Sequence, residues 1–187
     1  MGVGWWVCVG MVILGVMQKR NLWAPWRIGY IKALGPAEQS PGGCFMCEAA
    51  AETGAAERER RLVLRRDERG VLMLNRYPYT NGHLLIAPLE HVPELSDMTA
   101  AQRGGLMELT ELATRLLKAA LDPQGINLGM NLGRCAGAGV PGHAHLHAVP
   151  RWNGDVNFMH VVADARVIPQ SLDESYALMR EVLEKIE

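Results

Sequence analysis

From Thr99 to Leu121 the apolar residues Leu106, Leu109, Leu112, Ala113, Leu116, Leu117 and Ala120 return at intervals of three and four. That spacing lines one face of a helix, so the segment is expected to form one long amphipathic α-helix, ended by Asp122 and Pro123. Three shorter runs upstream carry strand character instead: RLVLRR at 61–66, VLMLN at 71–75 and HLLIAP at 83–88. They are rich in aliphatic residues and bounded by turn formers. The turn-rich RYPYTNG between the last two predicts that they pair antiparallel. Downstream, INLGMNLG at 126–133 and GHAHLHAVPRW at 142–152 predict two more strands. A terminal helix is expected in SLDESYALMREVLEKIE, opened by a Ser171 to Glu174 capping-box pattern. A short, interrupted helix is expected at 48–60, after a GPAEQSPGG loop at 35–43. Five strands with segregated helices predict an α+β fold, with an antiparallel sheet of about five strands, one long central helix and a C-terminal helix.

The amino end departs from this pattern. MGVGWWVCVGMVILGVM is one apolar run that stops at Lys19 and Arg20. A secretory signal carries its positive charge before the apolar run and a small-residue cleavage site after it, and this run shows neither. It is also shorter than the roughly 20 residues a membrane span needs. Residues 1–20 are therefore read as an apolar extension, either a start mis-called upstream of Met17 or a weak anchor, and residues 21–187 as one domain. At 187 residues, 49% hydrophobic and 21% charged, the chain can bury a single core. Its net charge of -1 argues against a dedicated nucleic-acid surface, which needs clustered Lys and Arg, so any nucleotide it binds is expected to be small. Cys8, Cys44, Cys47 and Cys135 form no disulfide-like framework, which fits the cytoplasm.

Chemistry concentrates at His143, His145 and His147. On a strand these three share one face while Ala144, Leu146 and Ala148 point the other way. A purely structural strand has little use for three titratable rings on one face. Alternate histidines can ligate a catalytic metal. A neutral imidazole can also attack phosphorus while its neighbours orient it or serve the leaving group. The glycine-rich GRCAGAGVPGH at 133–143, with Gly137 and Gly139, favours phosphate, because such a turn lets backbone N–H groups approach phosphate oxygens. Separately, Cys44 and Cys47 in CFMC can grip one tetrahedral metal ion if two further ligands are brought to them.

HAHLHAV resembles the His-φ-His-φ-His-φ-φ signature of the histidine triad (HIT) family of nucleotide hydrolases and transferases, φ being apolar. The resemblance runs from about Asn21 to the end through LWAPWR, CFMC, LNRYPYTNGHLLIAP, LEHVPEL, NLGMNLG and VPRWNGDVNFM, in that order. It is nearest the branch acting on dinucleoside polyphosphates. It implies that His145 is the nucleophile that takes the nucleotidyl group, that His147 contacts phosphate and assists the leaving group, and that His143 orients the site. Asn131 would contact phosphate or the nucleophile strand, Asn75 would hold the ribose hydroxyls, and His83 would buttress the triad.

The same resemblance implies a structural zinc on Cys44, Cys47, His91 and His143, as in the uridylyltransferase branch and some bacterial members. No organic cofactor is expected. His147 stands where the uridylyltransferases carry Gln, so hexose transfer is not expected. AGAGVPG replaces the Gln followed by Ser or Thr that many HIT hydrolases use to hold the leaving group. AGAG, PRWNGD and NFM together instead resemble the branch that includes the diadenosine tetraphosphate phosphorylases, in which phosphate rather than water completes the reaction. Purine nucleoside phosphoramidate hydrolysis and nucleotide binding with little turnover are the alternatives, and a homodimer is the expected assembly.

Overall fold

The structure, a computed structural model, describes residues 43–51, 54–155 and 168–186. The apolar extension, the LWAPWR block, most of the GPAEQSPGG loop and the VNFM end of the PRWNGD block lie outside the described residues. The chain runs α1 (Phe45–Ala50), α2 (Ala55–Arg60), β1 (Val63–Asp67), β2 (Gly70–Leu74), β3 (Leu84–Ala87), α3 (Ala100–Leu121), β4 (Gly125–Met130), β5 (Leu146–Arg151) and α4 (Leu172–Ile186). Short 3₁₀ turns stand at Leu95–Asp97 and Arg134–Ala136. The strands form one antiparallel sheet in the order β1-β2-β3-β5-β4. The expected α+β architecture, its five strands and both long helices are all present.

Alternation along the strands makes two cores, one on each face of the sheet. Leu72 and Leu74 of β2 with Leu84 and Ile86 of β3 turn to α3 and α4, where Leu106, Leu109, Leu116, Leu117, Met179 and Leu183 bury them. Val71, Met73, Leu85 and Ala87 turn the other way, onto Met46, Ala49 and Ala50 of α1. The central strands are thus covered on both faces, which is why their sequences are continuous apolar runs rather than alternating ones. The helix period from Thr99 is exact in its consequence: Thr99 caps α3 through a reciprocal pair with Gln102, and Asp122 ends it in the left-handed conformation at φ 45°. Ser171 and Glu174 close the same kind of box ahead of α4.

Two boundaries differ from expectation. The first helix starts at Phe45, so Cys44 is its N-cap and Cys47 lies in its first turn rather than in a loop. Sheet pairing of the histidine segment begins at Leu146, not at 142. The Ala144 N–H donates to the Val92 carbonyl at 2.7 Å, so the chain ahead of β5 is held by the segment after β3 and not by β4. Among the described residues, no helix is long and apolar enough to cross a membrane.

Candidate active site

The side-chain alternation survives where the pairing does not. Ala144 and Ala148 are buried in the α3 core with Leu146 packed against it, so His143, His145 and His147 are displayed on the opposite, α1 face. His147 sits between Leu85 of β3 and Gly129 of β4 in register. Gly129 puts no side chain beside the ring, which leaves the β4 side of the site open. The pairing ends at Met130↔Leu146, and Asn131 is the first residue past the end of β4.

Each histidine is held by a defined partner. The His145 Nδ1–H donates to the His143 carbonyl at 2.8 Å, which leaves the lone pair on Nε2. His143 Nε2–H donates to the Pro88 carbonyl at 3.0 Å, which leaves the lone pair of that ring on Nδ1. His147 Nδ1 lies 2.9 Å from His83 Nε2, and His83 Nδ1 meets the Asn75 amide at 3.2 Å and the Tyr79 N–H at 3.1 Å. The Tyr79 ring stacks on His147 with 15° between the planes. Burial disfavours the charged form of each ring: His83 is pushed down to about 3 by burial and then by His147 and His145, and His147 to about 4 by burial and then by His145. His145 is lowered from the usual imidazole value by burial, against the pull of its bond to the His143 carbonyl.

Beside the histidines, and sharing Asn75 with them, opens a cleft of about 500 Å³ walled by Phe45, Met73, Tyr77 and Arg76. Its lining joins Phe45, Met73 and Tyr77 with the polar groups of Asn75, Glu48, Arg60 and Arg61, so one cleft offers both an apolar wall and cationic groups. The glycine loop behaves differently from a simple cradle. The Gly137 N–H donates within the loop to the Arg134 carbonyl at 2.9 Å, so Gly137 serves by its left-handed φ of 94°. Among the described residues, the Gly139 N–H is given to no backbone carbonyl.

Cys44, Cys47, His91 and His143 converge so that their ligand atoms lie within 4.8 Å of one another. Cys47 Sγ is 3.1 Å from His91 Nδ1, and His143 Nδ1 is 3.4 Å from Cys44 Sγ and 3.5 Å from Cys47 Sγ. Tetrahedral zinc, with bonds of about 2.3 Å to sulfur and about 2.0 Å to nitrogen, sets its sulfur and nitrogen ligands about 3.5 Å apart. The donor set therefore fits zinc, and the Pro88 carbonyl already holds the far nitrogen of His143, as an outer-shell partner does. Burial, then Cys44, pushes the Cys47 thiol up to about 11.

Sequence reasoning passed over Tyr79, Gly129, Pro88 and Gly142. A Cβ on Gly142 would lie 2.8 Å from His91 Nε2, so this glycine makes room for the fourth donor. Only Gly142 left a signal, its position directly before His143; Pro88 acts through a backbone carbonyl, Gly129 through an absent side chain, and Tyr79 through its N–H and a ring whose partner lies far along the chain.

The HIT domain profile matches residues 56–154 of this chain. A Mycobacterium tuberculosis protein named AP-4-A phosphorylase is 37% identical over 163 residues, covering 87% of this chain and 83% of its own. The asymmetrical bis(5'-nucleosyl)-tetraphosphatase of Schizosaccharomyces pombe is 29% identical over 93 residues, half of each chain. The crystal structure of a zinc-bound histidine triad family protein from Mycobacterium smegmatis superposes with a TM-score of 0.60 at 28% identity, over 76% of this chain and 94% of that one. The profile match spans more than half of the chain and brings with it the three alternating histidines on one face of β5 and its approach: the chain belongs to the histidine triad, or HIT, family.

Proposed function

We propose that this protein moves the nucleotidyl group of a dinucleoside polyphosphate, such as diadenosine tetraphosphate, to phosphate or water through a covalent nucleotidyl-histidine at His145. The carrying observation is the bond from His145 Nδ1–H to the His143 carbonyl, which leaves an uncharged Nε2 lone pair in a buried ring. That lone pair attacks the α-phosphorus, the bond to the bridging oxygen breaks, and the electron pair leaves on the polyphosphate. The imidazolium so formed keeps its Nδ1–H on the carbonyl. Phosphate or water then attacks the same phosphorus from the side opposite the ring, the phosphorus–nitrogen bond breaks with its electron pair returning to Nε2, an attacking water gives up a proton to solvent, and the phosphorus inverts at each step. The adenosine lies in the cleft with its ribose hydroxyls at Asn75 and its base near Phe45. Asn131 and the Gly139 N–H face the phosphates, as preorganised donors to developing charge.

Zinc on Cys44, Cys47, His91 and His143 would be structural, since a closed four-ligand site offers no open position for substrate. Residues 21–187 form the catalytic domain, and the free thiols at Cys44, Cys47 and Cys135 suit the cytoplasm. A homodimer is supported by β4, an outer strand carrying the exposed Leu128. The names of the two curated relatives support the substrate class, and that of the mycobacterial one supports phosphate as acceptor.

The test is diadenosine tetraphosphate with and without inorganic phosphate, products separated by chromatography. ADP with ATP, formed only with phosphate, is the expected result; AMP with ATP would assign water as the acceptor. His145→Ala should remove turnover and leave the fold intact, and an unchanged rate would overturn the assignment.

A further inference from the structure

The hydrogen bonds around His83 give Asn75 a task beyond the ribose. Backbone N–H groups can only donate, and this orients the network from its ends. The Tyr77 N–H lies 2.9 Å from Asn75 Oδ1, so that oxygen accepts and the Asn75 Nδ2–H faces His83 Nδ1 at 3.2 Å. The Tyr79 N–H reaches the same nitrogen at 3.1 Å. Two donors on one ring nitrogen leave it no proton, so neutral His83 carries its hydrogen on Nε2 and donates it to His147 Nδ1 at 2.9 Å. His147 Nδ1 is thereby an acceptor, and its own hydrogen sits on Nε2. That Nε2 is buried, without a hydrogen-bond partner among the described residues, on the face it shares with His145, whose ring centroid is 5.0 Å away.

We infer that Asn75 is a positioning residue which, with the Tyr79 N–H, locks His83 and His147 as neutral Nε2–H tautomers and makes His147 a fixed hydrogen-bond donor that keeps its proton. If His147 gave that proton away it would become an imidazolate, because nothing beyond His83 can resupply it: the Asn75 amide is not an acid. The site therefore stabilises a leaving oxygen that departs as an anion and offers nothing to a leaving amine, which must pick up a proton to depart. This deepens the nucleotidyl-transfer reading by naming its leaving-group class, polyphosphate and not alkylamine, and it rests on that reading for the attack at His145.

Long-range nitrogen–proton spectra of ¹⁵N-histidine-labelled protein at neutral pH, without substrate, test the lock directly. His83 and His147 are expected as Nε2–H tautomers and His145 as the Nδ1–H tautomer. Asn75→Asp replaces the amide donor by an acceptor, so His83 Nδ1 should gain a proton, a change that loss of packing alone would not produce. Should that variant not fold, the wild-type spectrum still decides: an Nδ1–H or doubly protonated His83 or His147 overturns the proposal, as does an N75D spectrum identical to wild type. In turnover, an adenosine phosphoramidate with an alkylamine leaving group should react at least about 100-fold more slowly than diadenosine tetraphosphate, the low end of what a positioned general acid supplies. Equal rates overturn the proposal. If neither compound reacts, the nucleotidyl-transfer reading falls and the spectra alone confirm or overturn the tautomer lock.

Discussion

His143 uses three groups at once. Its Nδ1 faces the two thiols, its Nε2–H holds the Pro88 carbonyl, and its backbone carbonyl takes the Nδ1–H of His145. One residue thus links the candidate metal donors to the direction of the lone pair on His145, the proposed nucleophile. A pH dependence follows at this scale. The proposed attack needs His145 neutral, and burial lowers its proton affinity below that of an ordinary imidazole. The neutral fraction consequently persists to lower pH, so the acid limb of kcat/KM for diadenosine tetraphosphate should fall below the free imidazole value of about 6.5. A limb above that value would mean that His145 is protonated in the resting site. His83 and His147 act on stability in the same direction: their folded values of about 3 and about 4 lie under the unfolded one, so protons bind the unfolded chain first. Their contribution is complete above pH 6.5 and is progressively lost as the pH falls toward those values.

At the scale of elements, what could be read in the sequence was what a local period decides. The three-and-four spacing placed α3 within one residue, and the alternation after Gly142 placed the three histidines on one face. The start of β5 was not legible, because the partner that holds Ala144 is the Val92 carbonyl, more than fifty positions upstream, and no local pattern records it. The CxxC helix was hidden for a similar reason: six residues carry too little periodicity, and its apolar side, Met46, Ala49 and Ala50, takes meaning only against β2 and β3. The candidate metal cluster came from resemblance, since spacing alone supplied two of the four donors. The capping box of α3 allows a clean test of this division between scaffold and site. Thr99→Ala removes the acceptor for the Gln102 N–H, at a cost of about 1 kcal/mol. Thermal denaturation should shift down by about 2–4 °C. The rate on diadenosine tetraphosphate should hold, because α3 packs on the sheet face opposite the histidines. A lost rate with an unchanged melting temperature would refute that separation.

Across the whole molecule, the two faces of the sheet do different work, and the four donors join elements distant in sequence. The large core under α3 and α4 carries no triad ring, whereas α1, the segment after β3 and the approach to β5 meet at the donors. Cys44 and His143 are 99 positions apart and Cys47 and His91 are 44 apart. A metal that binds the folded site and not the unfolded chain stabilises by its own binding free energy, about 4 kcal/mol at a thousandfold excess over Kd. Zinc-loaded protein should therefore melt well above chelator-treated protein, and Cys47→Ser should shrink that gap. The gap should also depend on pH with a definite sign. Burial keeps the Cys47 thiol protonated to about 11, so metal must displace that proton to bind. Lowering the pH raises the proton's competition, and the melting difference between loaded and chelated protein should narrow as the solution is acidified. Calorimetry with and without zinc across neutral to mildly acidic pH measures this. Chelation that stops turnover at once while leaving the melting temperature unmoved would place the metal in the reaction instead, and would return the three histidines to the role of its ligands.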